Sequence, residues 1–297
     1  MPDAYTEDEI ASQPECWRRA AVADPRLTAV LPRPGERVAV VGCGTSWFVA
    51  QSYAALREAA GQGETDAFAA SEIPAGRPYD RMLALTRSGT TTEVLEALAG
   101  ARGRIPTVAI TADPDTPVMT AADEVAVLDY ADERSVVQTR FATTQLTLLR
   151  ASLGEDAAKA ITDAERALAE PLPAGTVEAA QFTFLGTGWT VGLAHEAALK
   201  MREAAGAWTE SYPAMEYRHG PISITGPGRI VWTFGEPPAG LAAQVTGVGG
   251  TMIVTDLDPL ADLVRVQRLA VEIARRRGLD PDTPRNLTRS VILDAEV

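Results

Sequence analysis

"VVGCGTSWFVAQSYAALRE" (residues 40–58) runs from an apolar strand through a glycine turn and two hydroxyls into a helical pattern. The same pattern returns at residues 184–203 as "FLGTGWTVGLAHEAALKMRE". At a constant offset Gly42 falls on Gly186, Gly44 on Gly188, Ala50 on Ala194 and Ala54 on Ala198. A repeat of this length predicts two halves of one architecture. Outward from it, "RVAVVG", "DRMLALT", "IPTVAIT" and "EVAVLDY" read as strands, separated by "SWFVAQSYAALREAAG" and "TTEVLEALAGAR" and followed by "TRFATTQLTLLRASLG", all helices. The later half repeats the alternation with strands "FTFLGTG", "RIVWTFG" and "TMIVTD". Strand–helix alternation of this kind predicts an α/β fold: two tandem doubly wound parallel sheets, each a three-layer α/β/α unit.

Residues 1–34 form a helical lead-in on this reading, 35–168 the first subdomain and 177–280 the second. "AEPLPAGT" (169–176) is the linker between them. The 297 residues carry 46% hydrophobic residues and a formal net charge of −13. The first figure suits a packed globular core; the second argues against nucleic acid, whose phosphates need clustered Lys and Arg. Only two lysines occur, Lys159 and Lys200, so a lysine inside a motif is not background. Cys16 and Cys43 are too few for a disulfide framework and lack metal-ligand spacing; no metal or organic cofactor is expected. The acidic N-terminus is no secretory signal and no apolar run spans a membrane, which predicts a cytoplasmic protein without a membrane partner.

Where the second strand turns into its helix, "TRSGTTTEV" puts five hydroxyls into residues 86–92. Helix capping by a box of Thr90 and Glu93 needs only one of them. A helix start at the carboxyl end of a parallel strand offers free N–H groups and a positive dipole end. Hydroxyls from Thr86, Ser88 and Thr91, with charge from Arg87, suit a bound phosphate. Thr45 and Ser46, on the neighbouring strand's turn, would converge on the same anion. No GxxxxGK[ST] is present, and Trp47 replaces the third glycine of GxGxxG, so nucleotide loops are a poor fit. Cys43 reads as a small apolar filler rather than a nucleophile.

In the later half Glu196, Lys200 and Glu203 stand at i, i+4 and i+7, on one helix face that is otherwise apolar. His219 lies downstream in the irregular "ESYPAMEYRHGPI". With "GCGTS", "TRSGTTTE", "HEAALKMREAAGAWTESYPAMEYRHGP" and the tail "PRNLTRSV" assembled, the chain resembles the sugar isomerase (SIS) family. The likeness is greatest to its aminosugar-phosphate isomerases and deaminases.

The resemblance implies a phosphorylated sugar substrate, aldose–ketose isomerisation with loss of ammonia from an amino sugar, and a homodimer with shared active sites. Thr45, Ser46, Thr86, Arg87, Ser88 and Thr91 match the phosphate positions. Glu203 matches the carboxylate that moves a proton between C1 and C2. His219 matches the ring-opening histidine, which in the family can come from a neighbouring subunit. Lys200 and Glu196 match the supporting helix face, Val136 matches a backbone sugar contact, and residues 281–297 match a tail over the active site. Three departures accompany the match. Arg289 stands in place of a family lysine and cannot form a Schiff base. Gln138 replaces a small residue. No glutaminase segment occurs within the 297 residues, so glutamine is not expected as nitrogen donor. Two further readings use the same residues: a deglycase whose leaving amine is an amino acid, and a sugar-phosphate sensor without chemistry.

Overall fold

The computed structural model describes residues 5–22 and 24–293. The remaining residues of the lead-in (1–4 and 23) and of the tail (294–297) lie outside the described set. The lead-in folds as α1 (Tyr5–Ala11), α2 (Gln13–Ala21) and α3 (Pro25–Ala29). The last is opened by Asp24, whose carboxylate accepts the Arg26 N–H, and by a proline in its first turn. The chain divides into two compact units. One comprises Glu15–Glu133, Arg140–Ala157 and Thr288–Val297; the other comprises Met1–Pro14, Arg134–Thr139 and Ala158–Leu287.

In the first unit, β1 (Val38–Gly42), β2 (Thr65–Ala69), β3 (Arg81–Leu85), β4 (Thr107–Thr111) and β5 (Glu124–Val127) form an all-parallel sheet in the order β2-β1-β3-β4-β5. β1, β3 and β4 are buried along their whole length, as near-continuous apolar strands between helix layers must be. The helices are α4 (Thr45–Ala59), α5 (Thr92–Ala101), α6 (Val118–Ala121) and α7 (Arg140–Ser152). Val41 pairs with Ala84, so β1 and β3 end side by side. The strand order reverses between these two strands, and in open parallel sheets it is outside the carboxyl ends at such a reversal that ligands bind.

The second unit adds α8 (Ala158–Ala169), then a four-stranded parallel sheet in the order β7-β6-β8-β9. Its strands are β6 (Gln181–Gly186), β7 (Thr209–Pro213), β8 (Arg229–Phe234) and β9 (Thr251–Ile253). Its helices are α9 (Thr190–Ala205), α10 (Leu241–Gly247) and α11 (Pro259–Arg276), and α11 packs along both α8 and α9. The two parallel sheets bear out the expected fold class.

The repeated glycines serve the same purpose in both units. A Cβ on Gly42 would lie 2.7 Å from the Ser46 backbone, and one on Gly186 would lie 2.2 Å from the Thr190 carbonyl oxygen. Both glycines let a helix start directly over a strand end. Two residues on, Gly44 and Gly188 take φ of +53° and +58°, which L side chains avoid. The repeat seen in sequence is therefore a repeated strand-to-helix turn.

Candidate functional site

The hydroxyl-rich turn leaves β3 at its carboxyl end. Thr86, Arg87 and Ser88 are buried, and Gly89 turns the chain at φ +63°. The helix begins one residue later than a Thr90 capping box requires: Thr91 is the N-cap and makes no side-chain capping bond. Capping therefore does not account for the hydroxyls. Thr86 Oγ1 instead accepts the Gly89 N–H at 3.2 Å, and Ser88 Oγ accepts the Thr90 N–H at 3.3 Å. Both bonds hold the turn in shape. Thr45 and Ser46 are buried in the first turn of α4, which follows β1.

The tail meets this turn within the first unit. Thr90 Oγ1 donates to Ser290 Oγ at 2.9 Å, and the Thr91 and Ser290 hydroxyls lie 3.3 Å apart. The Thr92 N–H donates to the Val291 carbonyl at 3.2 Å, and the Leu293 N–H donates to Thr92 Oγ1 at 2.9 Å. The last described residues of the chain thus take up groups at the start of α5 that an anion would also use.

Arg87 is 1% exposed and its guanidinium stands 3.6 Å from the carboxylate of Glu133, which is equally enclosed. It also donates to the Arg289 carbonyl at 3.2 Å. Sequence reasoning found the arginine and missed its counter-ion. Glu133 further accepts the Arg140 N–H at 2.8 Å, serving the first turn of α7, while its backbone carbonyl accepts from the Arg289 guanidinium. Arg289 completes the cluster with Asp132 at 2.6 Å. The "DER" of residues 132–134, just before the predicted helix, was the available signal. Arg87 thus brings a cation already matched by Glu133, so an added phosphate would be met largely by N–H groups and hydroxyls.

In the second unit, Lys200 is 1% exposed on α9 between two carboxylates. Its ammonium lies 3.5 Å from Glu196 Oε1 and donates to Glu203 Oε2. Glu196 is buried, whereas the Glu203 side chain keeps 19% exposure. The ladder read from sequence is therefore an enclosed ion network, with Glu203 as its solvent-facing end. His219 closes a 3₁₀ turn, Glu216–His219, and is exposed. The other histidine, His195, is half-buried on α9, with Nδ1 2.8 Å from Ser211 Oγ. Desolvation, then the nearby Arg202, pushes its pKa down, so it sits neutral in the helix–strand packing.

Val136 donates its N–H to the Asp282 carbonyl at 3.0 Å. Its neighbours Arg134 and Ser135 are held by Glu9 of the lead-in, and Tyr5 and Thr6 bind the Asp282 carboxylate. These anchors, like Glu133, join residues too distant in sequence for spacing to show. Cys43 packs against the apolar cluster under α5, and its thiol is pushed up to about 11, mainly by desolvation and then by Glu93. It is no nucleophile at neutral pH. Among the described residues no group of three or more His, Cys, Asp or Glu side chains could hold a metal, and no helix is long and apolar enough to cross a membrane.

Residues 33–153 match the family model described as the SIS domain. The chain is similar to the isomerising glutamine–fructose-6-phosphate aminotransferase of Methanothermobacter thermautotrophicus, at 28% identity over 98% of this chain and 58% of that protein. The Pyrobaculum aerophilum enzyme of the same name is 30% identical over 72% of this chain and 44% of its own length. The chain thus spans little more than half of the curated relatives it matches. In fold it resembles glucosamine-6-phosphate deaminase of Thermotoga maritima, with a TM-score of 0.81, 24% identity and coverage of 98% of this chain and 100% of that one. Tagatose-6-phosphate ketose/aldose isomerase of Escherichia coli gives a TM-score of 0.78 at 18% identity, covering 95% and 96%.

Proposed function

We propose that this chain, which carries a SIS domain and is homologous to the isomerising aminotransferases, is a phosphosugar isomerase acting as a deaminase on an aminosugar 6-phosphate. The first unit holds the phosphate: Thr45, Ser46, Thr86, Arg87, Ser88 and Thr91 lie at the carboxyl ends of β1 and β3, where the strand order reverses. The second unit moves the proton. The observation that carries the reading is Glu203, a partly exposed carboxylate fixed by the buried ammonium of Lys200. In this reading the domain bounds are 35–168 for phosphate binding and 177–280 for catalysis, with residues 281–297 as the tail over the substrate.

Isomerisation needs one group able to serve two adjacent carbons. His219 assists ring opening, for which an imidazole is suited near neutral pH. Glu203 then takes the proton from C2 of the open aminoaldose, and the electrons pass into an enolamine. Return of the proton to C1 leaves an imine at C2; water adds there and ammonia departs, giving the ketose phosphate. The phosphate, remote from the reacting carbons, is a handle whose binding helps to hold and orient them. Arg289, tied to Asp132, supplies no amine for a covalent adduct, so the chemistry runs through the free carbonyl. A homodimer fits the exposed His219, which is available to a neighbour's site.

The test is ¹H and ³¹P NMR with glucosamine-6-phosphate in D₂O. Solvent deuterium entering at C1 or C2, with ammonia released, is expected for the wild type and not for Glu203→Gln. Phosphate binding without exchange would replace this reading with a sensor. Exchange and ammonia release that persist in Glu203→Gln would move the proton-transfer role to another residue.

A further inference from the structure

A cavity of about 350 Å³ opens in the first unit between α5 and the segment from Ala70 to Tyr79, on ground that the proposed reaction does not use. Ala70, Ile73, Met82, Ala97 and Ile105 give it apolar walls backed by the cluster beneath α5. Glu93 lines it as well, and this carboxylate is out of place. Its Oε2 is buried without a hydrogen-bond partner, and no ion pair reaches the residue among those described. The cationic side chains of the rim do not serve it. Arg77 binds Asp66 at 3.1 Å and lies over the Phe68 ring, while Arg104 lies at the far end of α5, its guanidinium at the Gly100 carbonyl.

An enclosed carboxylate oxygen without a donor is costly, and a hydrogen-bonded cation relieves that cost best. Glu93, Glu96, Ala97 and Gly100 share one face of α5, and the small residues leave a trough along it. From Glu93 to Gly100 the helix rises roughly 10 Å, which sets the length of an occupant. We propose that this cavity binds a small primary amine with an elongated apolar body. The ammonium would bond Glu93, with Glu96 one turn on, and the body would lie along Ala97 and Gly100 against Ile73 and Met82. The volume, and apolar walls interrupted by a few polar groups with Glu93 and Glu96 among them, are those of small-molecule sites.

The test is calorimetric titration of the full chain with 3-phenylpropylamine, 3-phenylpropan-1-ol and 3-phenylpropionate, of near-equal shape and different charge. The amine should bind, the alcohol more weakly, and the acid not at all. Glu93→Gln should weaken the amine by about tenfold and bring it level with the alcohol. Gly100→Leu is the second variant: a Cβ there meets nothing within 4 Å, so the leucine enters the trough without disturbing the helix. It should abolish binding of both amine and alcohol while the melting transition is kept. Equal affinity for amine and alcohol in the wild type, or wild-type amine affinity in either variant, overturns the proposal, as does no detectable heat with the amine.

Discussion

At the scale of residues, the first unit turns on Glu133. The hydroxyl cluster and Arg87 were legible because local spacing sets them at a strand end. Glu133 was not, since its partners are brought to it by folding: Arg87 from the turn after β3, Arg140 at the start of α7, and Arg289 from the tail. Removing one partner of an enclosed ion pair leaves the other charge uncompensated, at a cost of roughly 3–5 kcal/mol. Glu133→Gln should therefore lower the unfolding free energy by about that much in urea titrations, because Gln keeps the shape and an acceptor but loses the charge facing Arg87. A loss below about 1 kcal/mol would mean that Arg87 has found other partners.

At the scale of elements, the strands missed by sequence reasoning are both sheet edges. β2 and β7 are only partly buried, and β7 ends in a proline, which an edge tolerates. Their patterns therefore lack the apolar run that marks β1 or β3. α11 was not read from the sequence; Asp258 and Pro259 open it, and Asp258 accepts the Leu260 N–H at 2.9 Å. What the sequence did not show is that α11 buries a carboxylate. Asp262 is fully enclosed, accepts the Trp232 indole N–H at 2.7 Å and has its pKa pushed up to about 7, chiefly by desolvation. Its folded pKa lies above its unfolded one, so its contribution is most favourable in acid and is lost as pH rises toward and through 7. The shift corresponds to roughly 4 kcal/mol above that range. Asp262→Asn keeps an acceptor for Trp232 and carries no charge. Its stability relative to wild type should rise from pH 5 to pH 8 and level off beyond, as read by thermal melts across pH. A gap that stays constant with pH would mean that Asp262 does not change its charge in this range.

At the scale of the whole molecule, the repeat was legible because each half must make the same glycine turn, whereas the expected homodimer rested on the resemblance alone. A single chain sequence carries no direct record of which copy supplies a side chain. His219 is exposed, whereas Lys200 is enclosed and Glu203 partly so, and in the proposed homodimer this histidine would serve a neighbour's site. Mixing two inactive variants decides the matter. In a mixed dimer of Glu203→Gln and His219→Ala, one site receives both lesions and the other receives none, provided that His219 acts across the interface. Random re-association of equal amounts makes half the dimers mixed, each with one intact site of two, so activity should return to about a quarter of wild type. If His219 serves its own chain, every site keeps one lesion and the mixture stays as inactive as its parents. Sedimentation of the unmixed proteins supplies the control, because a monomer at assay concentration would remove the homodimer from the proposal, whichever way the activity falls.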